Sequence, residues 1–276
     1  MVNRKELDPE ESPSARFGQW LRAMRDERGW TQDDLAERIG CSGTHISAVE
    51  TGRRPPTRRF AADVDRAFGT GDRFERQSQA VRHTSLIEGF PQYVDQEARA
   101  AEIRLFEVGV VPGLLQTPEY TAAIEEGNVK RGTLTQEQAD ERVETMVKRQ
   151  ATLARPSSPL IFAVLDEGCI RRSVGTSAVM SAQFEHLLEF AERSNTVLQV
   201  APFSMGARRP FNVPVTILTT PHRSLMSYAE SAHRGQFERE STFVLPLLAA
   251  YHQLQAEALS QTESVAMIEQ VRKGTP

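Results

Sequence analysis

The sequence predicts an all-α N-terminal domain of four to five helices, followed by a larger α+β domain. Three observations predict it. Apolar residues recur at helical spacing, punctuated by glycines, from Ser14 to Gly69. Short apolar runs of strand length, separated by Pro, Gly and Asn, begin at Ser158 and continue through "RSLMSYAES". The charge also changes sign along the chain: residues 13–83 carry 13 Arg against 10 Asp or Glu, whereas residues 84–276 carry 18 basic against 23 acidic residues. Helices first and strands later argue for α+β rather than a doubly wound sheet. The expected boundaries are 14–80 for the first domain, 81–94 for a connector and 95–272 for the second.

In the first domain Phe17, Trp20, Leu21 and Met24 mark one helix, which Gly29 ends without a Cβ penalty. Thr31 opens a second helix with Asp34 three residues on, in the manner of a capping box. Leu35, Ala36 and Ile39 form its inner face, and Gly40 follows where a tight turn needs an unhindered backbone. Ser42 caps a third helix with Ile46 and Val49 inward, closed by Gly52. Thr57 begins a fourth, carrying Phe60, Val64, Ala67 and Phe68 to Gly69. The stretch "TGDRFERQSQAVRHTSLIEGFPQY" is polar without clear periodicity, and the connection between domains is expected there.

In the second domain Asp95–Val108 reads as an amphipathic helix. Pro112-Gly113 is a turn, and Thr117 caps a helix with Pro118 at its first position. Thr135–Ala154 is a long charged helix, "SPLIFAVLDEG" a buried strand and Met180–Arg193 a helix. "NTVLQVAPF", "VPVTILTTP" and "RSLMSYAES" have strand length. Helices are expected over Glu238–Leu259 and Ser260–Val271.

Composition narrows the function classes. The 276 residues are 39% hydrophobic and 25% charged, and the longest apolar runs, "LIFAVL" and "FVLPLLAAY", are too short to span a membrane. The N-terminal "MVNRKELDPEES" has no apolar core after its basic residues, so a cytoplasmic protein is expected. Cys41 and Cys169 are two isolated thiols, giving neither zinc spacing nor a disulfide framework. The basic residues are arginine except at Lys5, Lys130, Lys148 and Lys273, as in GC-rich bacterial genomes. A net charge of −4 argues against indiscriminate polyanion binding, while the basic N-terminal unit fits nucleic-acid contact at one end.

"GWTQDDLAERIGCSGTHISAVETGRRPP" resembles the helix-turn-helix of the phage-repressor and Xre family of bacterial regulators, with the match running from Phe17 to Gly69. The resemblance implies a DNA-binding transcriptional regulator, a homodimer on double-stranded DNA. Thr31 and Gln32 sit at a helix N-terminus, where the glutamine amide and backbone N–H groups can hold a phosphate. Ser42, Gly43, Thr44, His45, Ser47, Ala48 and Thr51 belong to the helix that would approach base edges. Gly43 and Ala48 donate no hydrogen bond, although Ala48 suits a thymine methyl, and Thr44 and Ser47 suit several bases. His45 meets a phosphate or a base, or is an exposed spectator. Arg53, Arg54, Arg58 and Arg59 follow with no acid among them, toward the sugar-phosphate backbone. Arg58 or Arg59 also suits a minor groove. Arg25 and Glu50 resemble the family's internal ion pair. Modest specificity per half-site is expected, supplemented by dimerisation and DNA shape.

"VPGLLQTPEY", "RVETMVKRQATL", "VLDEGCIRRSVG", "LQVAPF" and "YAES" resemble the effector domain of Scr1-type antitoxin-like, WhiJ-like actinobacterial regulators. The alanine of "YAES" departs from the bulkier residue of that pattern. The resemblance implies a domain that receives a protein or small-molecule signal. Its alternative is an antitoxin-like interaction module that holds a small neighbouring-gene protein, with DNA binding secondary. Gln116, Tyr120, Asp166, Glu167, Tyr228 and Glu230 are the polar groups expected around a ligand or partner pocket, or else they knit the domain together. Strand-end acids also commonly cap turns or pair with arginines, here Arg171 and Arg172. His222 and His233 lie at no metal-ligand spacing to these acids. With no glycine-rich phosphate loop, nucleophile elbow or HExxH, neither catalysis nor a cofactor or metal is expected.

Overall fold

A computed structural model of the chain describes residues 13–83, 89–151, 158–230 and 235–274. The expectations for the N-terminal "MVNRKELDPEES", the last residues of the helix read to Ala154, Ser231 and His233 fall outside these residues. The chain divides into two compact units, residues 1–88 and 89–276.

Among its described residues the first unit has helices as its regular elements: α1 (Pro13–Glu27), α2 (Gln32–Ile39), α3 (Gly43–Glu50), α4 (Arg58–Phe68) and α5 (Arg73–His83). Its starts are set by local caps. Thr31 accepts from the Asp34 N–H at 3.1 Å while the Asp34 carboxylate accepts from the Thr31 N–H at 2.7 Å, the expected capping box. Ser42 caps α3 and Thr57 caps α4 by accepting from the N–H three residues on, without the reciprocal bond. Gly40, at φ 69°, turns the chain between α2 and α3 in a conformation that disfavours side chains. Phe17, Leu21, Leu35, Ile46, Val49, Phe60, Val64 and Phe68 form one core.

The fifth helix lies where the sequence reads as an aperiodic connection. Its start is organised from α4 rather than by a local cap. Buried Asp65 accepts from the N–H groups of Phe74 at 3.0 Å and Glu75 at 2.8 Å, and from the Thr70 hydroxyl at 2.5 Å. Phe74 and Val81 then join the core, with the Phe74 ring stacked 4.0 Å from that of Trp20.

The second unit opens with α6 (Phe90–Glu97), so residues 90–94, read as connector, are helical there. Next come β1 (Glu102–Glu107), a 3₁₀ turn (Gly113–Leu115), α7 (Pro118–Lys130), α8 (Gln136–Ala151), β2 (Leu160–Asp166), the short α9 (Glu167–Arg171) and α10 (Ser177–Ala191). They are followed by β3 (Thr196–Ala201), a second 3₁₀ segment (Phe203–Arg208), β4 (Val215–Thr219), β5 (Leu225–Glu230), β6 (Gly235–Glu238), α11 (Ser241–Glu257) and α12 (Gln261–Arg272). The six strands form one sheet of order β3-β2-β1-β4-β5-β6. β1, β2 and β3 run parallel through helical crossovers, whereas β4, β5 and β6 form an antiparallel meander joined to β1.

The helix expected over Asp95–Val108 is corrected here. It ends at Glu97, and residues 102–107 are the strand that joins the two halves of the sheet. Glu102 pairs with Leu160 on one side and Thr219 on the other, so long-range pairing overrides local helical spacing. Side chains of β1 and β2 alternate between two cores. Ile103, Leu105, Ile161, Ala163 and Leu165 face one, with α10 and α12 residues; Phe106 and Val164 face the other, with Val244, Tyr251 and Leu254 of α11. The Tyr251 hydroxyl lies 2.7 Å from the Phe162 carbonyl and 3.1 Å from that of Leu105, and burial pushes its pKa up.

Replacing Asp65 by Ala removes the shared acceptor for the start of α5. Hydrogen bonds to a charged group contribute roughly 1.5–3 kcal/mol each, so amide exchange at Phe74 and Glu75 is expected to accelerate at least tenfold. Unchanged exchange at both amides would show that α5 does not depend on this carboxylate.

Candidate nucleic-acid interface

The helix-turn-helix is α2, the Gly40 turn and α3. Its geometry is set by one buried carboxylate. Glu50, with no exposed surface, receives Arg25 of α1 through Nε at 2.5 Å and Nη2 at 3.1 Å. The Gln32 amide of α2 donates to it at 2.8 Å, and Arg22 Nε lies 3.5 Å away. Arg25 also donates to the Trp30 carbonyl and the Asp26 carboxylate, each at 2.7 Å. Burial alone would lower the Arg25 pKa, but the hydrogen bond and charge of Glu50 outweigh it and hold it raised. The ion pair read from the sequence is therefore present and ties three helices together. Asp34 behaves oppositely: the Thr31 N–H, then its hydroxyl, lower its carboxyl pKa. Its cap contributes above the unfolded carboxyl range and is lost as pH falls through that lowered value.

Thr44, Ser47 and Ala48 lie at helical spacing on α3, with Thr44 exposed and the other two half-buried. Thr51 follows them, its hydroxyl donating to the Ser47 carbonyl at 2.7 Å and accepting from Arg53 Nε at 2.9 Å. This chain fixes how the exposed Arg53 leaves the helix. Arg59 is 94% exposed and only 4.0 Å-paired with Asp63. Arg58 is 62% exposed but donates to Glu75 of α5 at 2.7 Å, so an acid absent from the arginine run in sequence meets it in space. Arg54 is half-buried, and its N–H donates to the Ala48 carbonyl.

Two of the residues expected at DNA turn their side chains toward other helices. Gln32 points its amide at Glu50 rather than outward. His45 stacks on Phe60 at 5.1 Å, facing α4 instead of the open face of α3. A Cβ on Gly43 would collide with the Asp33 carboxylate, which occupies the space over the first residue of α3. Ser42 and Thr31 serve as caps.

In the second unit four of the six pocket candidates hold local structure. Gln116 donates to the Val111 carbonyl and accepts from the Thr121 hydroxyl, both at 2.6 Å, while the Tyr120 hydroxyl accepts from the Val111 N–H. Asp166 caps α9 through the Gly168 N–H and pairs with Arg209, and Glu167 pairs with Arg171 and accepts from the Phe203 N–H. The remaining two, Tyr228 and Glu230, line a cavity of about 410 Å³. Tyr93, Glu107 and Arg149 also line it and were missed in the sequence, because they come from a helix, a strand end and a second helix far apart in the chain. Among the described residues no group of three His, Cys, Asp or Glu is placed to hold a metal, and no helix is long and apolar enough to cross a membrane.

Comparison with known proteins follows this division. A family model described as a helix-turn-helix domain matches residues 16–78, and one described as a domain of unknown function, DUF5753, matches residues 90–270. A protein of Methanothermobacter thermautotrophicus, named "Uncharacterized HTH-type transcriptional regulator", is 43% identical over 49 residues, covering 18% of this chain and 71% of that protein. No solved structure matches.

Truncating Glu50 to Ala would leave Arg25 buried without its carboxylate, a change that costs about 3–5 kcal/mol in comparable buried pairs. The first unit is expected to unfold at markedly lower urea concentration, with the second unit's transition unmoved. An unchanged midpoint would remove Glu50 as the organising group.

Proposed function

The chain belongs to the DUF5753 family and carries a helix-turn-helix domain ahead of that region; from that premise we propose that it is a DNA-binding transcriptional regulator. The observation that carries the reading is the face of α3, where Thr44, Ser47 and Ala48 precede Arg53 with the Thr51 hydroxyl as its guide. Short hydroxyls near base edges and an arginine near phosphate divide the work between readout and affinity. Gly43 and Ala48 leave few donors for bases. Sequence preference then depends on two half-sites brought together by a homodimer, and on the shape of the DNA between them.

The second unit receives a signal in this reading. A protein partner, the antitoxin-like alternative, is favoured by one specific observation: α11 exposes Phe243 and Leu245 in a stretch without charged residues.

Replacing Arg53 and Arg54 by Ala tests the DNA reading on full-length protein. If each contacts a phosphate, affinity falls at moderate salt and the slope of log affinity against log salt shrinks by about two. Equal affinity and equal slope would refute the contact. Fragments selected from the source genome are expected to contain inverted half-sites centred on the order of 34 Å apart.

A further inference from the structure

The cavity in the second unit has a charge balance of its own. It lies between α6, the end of β1, α8 and the start of the antiparallel meander, and its volume of about 410 Å³ is that of a small-molecule site. Arg149 is the cation among the described residues that line it, and its guanidinium is already held. It grips the buried Glu97 with both Nε and Nη2, the latter at 2.6 Å, and Nη2 lies 3.2 Å from the Tyr93 hydroxyl. Tyr93 in turn donates to Glu97, so that carboxylate is fully engaged behind the wall.

Two further carboxylates face the cavity without a described cation beside them. Glu107, at the end of β1, accepts from the N–H of its own neighbour Val108 at 3.0 Å. Glu230 accepts from the Tyr228 hydroxyl at 2.9 Å. The rest of the wall combines aromatic and aliphatic residues with the hydroxyl-bearing Thr216, and Tyr93 and Tyr228 stack 4.2 Å apart with Phe90 beside them. An anion entering here would meet two negative charges while the guanidinium stays with Glu97. A cation would meet two counter-charges and ring surfaces that attract it.

We propose that this cavity binds a small organic cation, an ammonium, amidinium or guanidinium group on an apolar body, with Glu107 and Glu230 as its counter-charges. The proposal rests on the reading of the second unit as signal-receiving for its regulatory meaning, but not for the binding itself. Burial first, with the charge of Glu230 adding to it, raises the Glu107 pKa, the behaviour of a carboxylate lacking a cation.

Titration calorimetry on the full-length chain, with tyramine and benzamidine as cations and phenylacetate as the anionic counterpart, tests it. Both cations are expected to bind saturably and raise the melting temperature, and phenylacetate to do neither. Glu107→Gln with Glu230→Gln should weaken the cations at least tenfold, while the exposed Glu230→Gln alone, which leaves Glu107 at the end of β1 in place, gives a smaller loss. Failure of both cations to bind, equal binding of phenylacetate, or undiminished binding by the double variant would overturn the proposal. Because the readout is ligand heat rather than DNA, these results separate the cavity from the DNA-binding reading.

Discussion

Burying a carboxylate without partners costs far more than a small helical unit can tolerate, so the first unit depends on what surrounds Glu50. Its donors come from two other helices: Arg25 and Arg22 from α1, Gln32 from α2. The position of Glu50 on α3 is therefore coupled to both neighbours at once, and α3 cannot rotate without breaking charge-assisted bonds. Gly18 completes the constraint, since a Cβ there would stand 2.6 Å from the Val49 carbonyl and push α1 away from α3. The exposed face of α3 follows from these buried contacts. So does the direction of the Gln32 amide, which spends one of its two N–H donors on Glu50.

Legibility in the sequence tracked how local each determinant is. The caps Thr31, Ser42 and Thr57 and the glycines that follow each helix act within four residues, and their elements are where the pattern places them. The start of α5 is fixed by Asp65, nine residues before Phe74, and no local pattern announces it. Residues 98–101, Ala-Arg-Ala-Ala, favour helix strongly enough to carry the helical reading into β1. The strand is decided by partners 58 and more residues away, Leu160 and Thr219 opposite Glu102.

The same distinction separates the two candidate sites. On α3 the spacing of Thr44, Ser47 and Ala48 is a matter of helical phase and can be read locally, while the direction of the His45 ring is decided by Phe60 on another helix. In the second unit polar residues near a conspicuous motif proved to serve the motif's own backbone. Gln116 and Tyr120 hold Val111, and Gln183 of α10 bridges the Thr117 N–H and the Leu115 carbonyl. A loop tied from three sides needs those residues whether or not any ligand is near. The Tyr93–Glu97–Arg149 cluster, by contrast, joins residues 52 apart in sequence, and neither end hints at the other.

That cluster also explains why a cavity wall containing an arginine does not favour anions. Arg149 lies over the Phe90 and Tyr93 rings at 5.4 and 5.2 Å while bound to a carboxylate that is 1% exposed. Pulling its guanidinium toward an entering anion would leave Glu97 buried and unpaired, and would withdraw the Tyr93 hydroxyl's neighbour. The ring of Tyr93 is itself stacked on Tyr228, whose hydroxyl orients Glu230. Charge on the wall is thus fixed from behind through Arg149 and Glu97. The carboxylates in front, Glu107 and Glu230, remain to set the sign of what the cavity accepts.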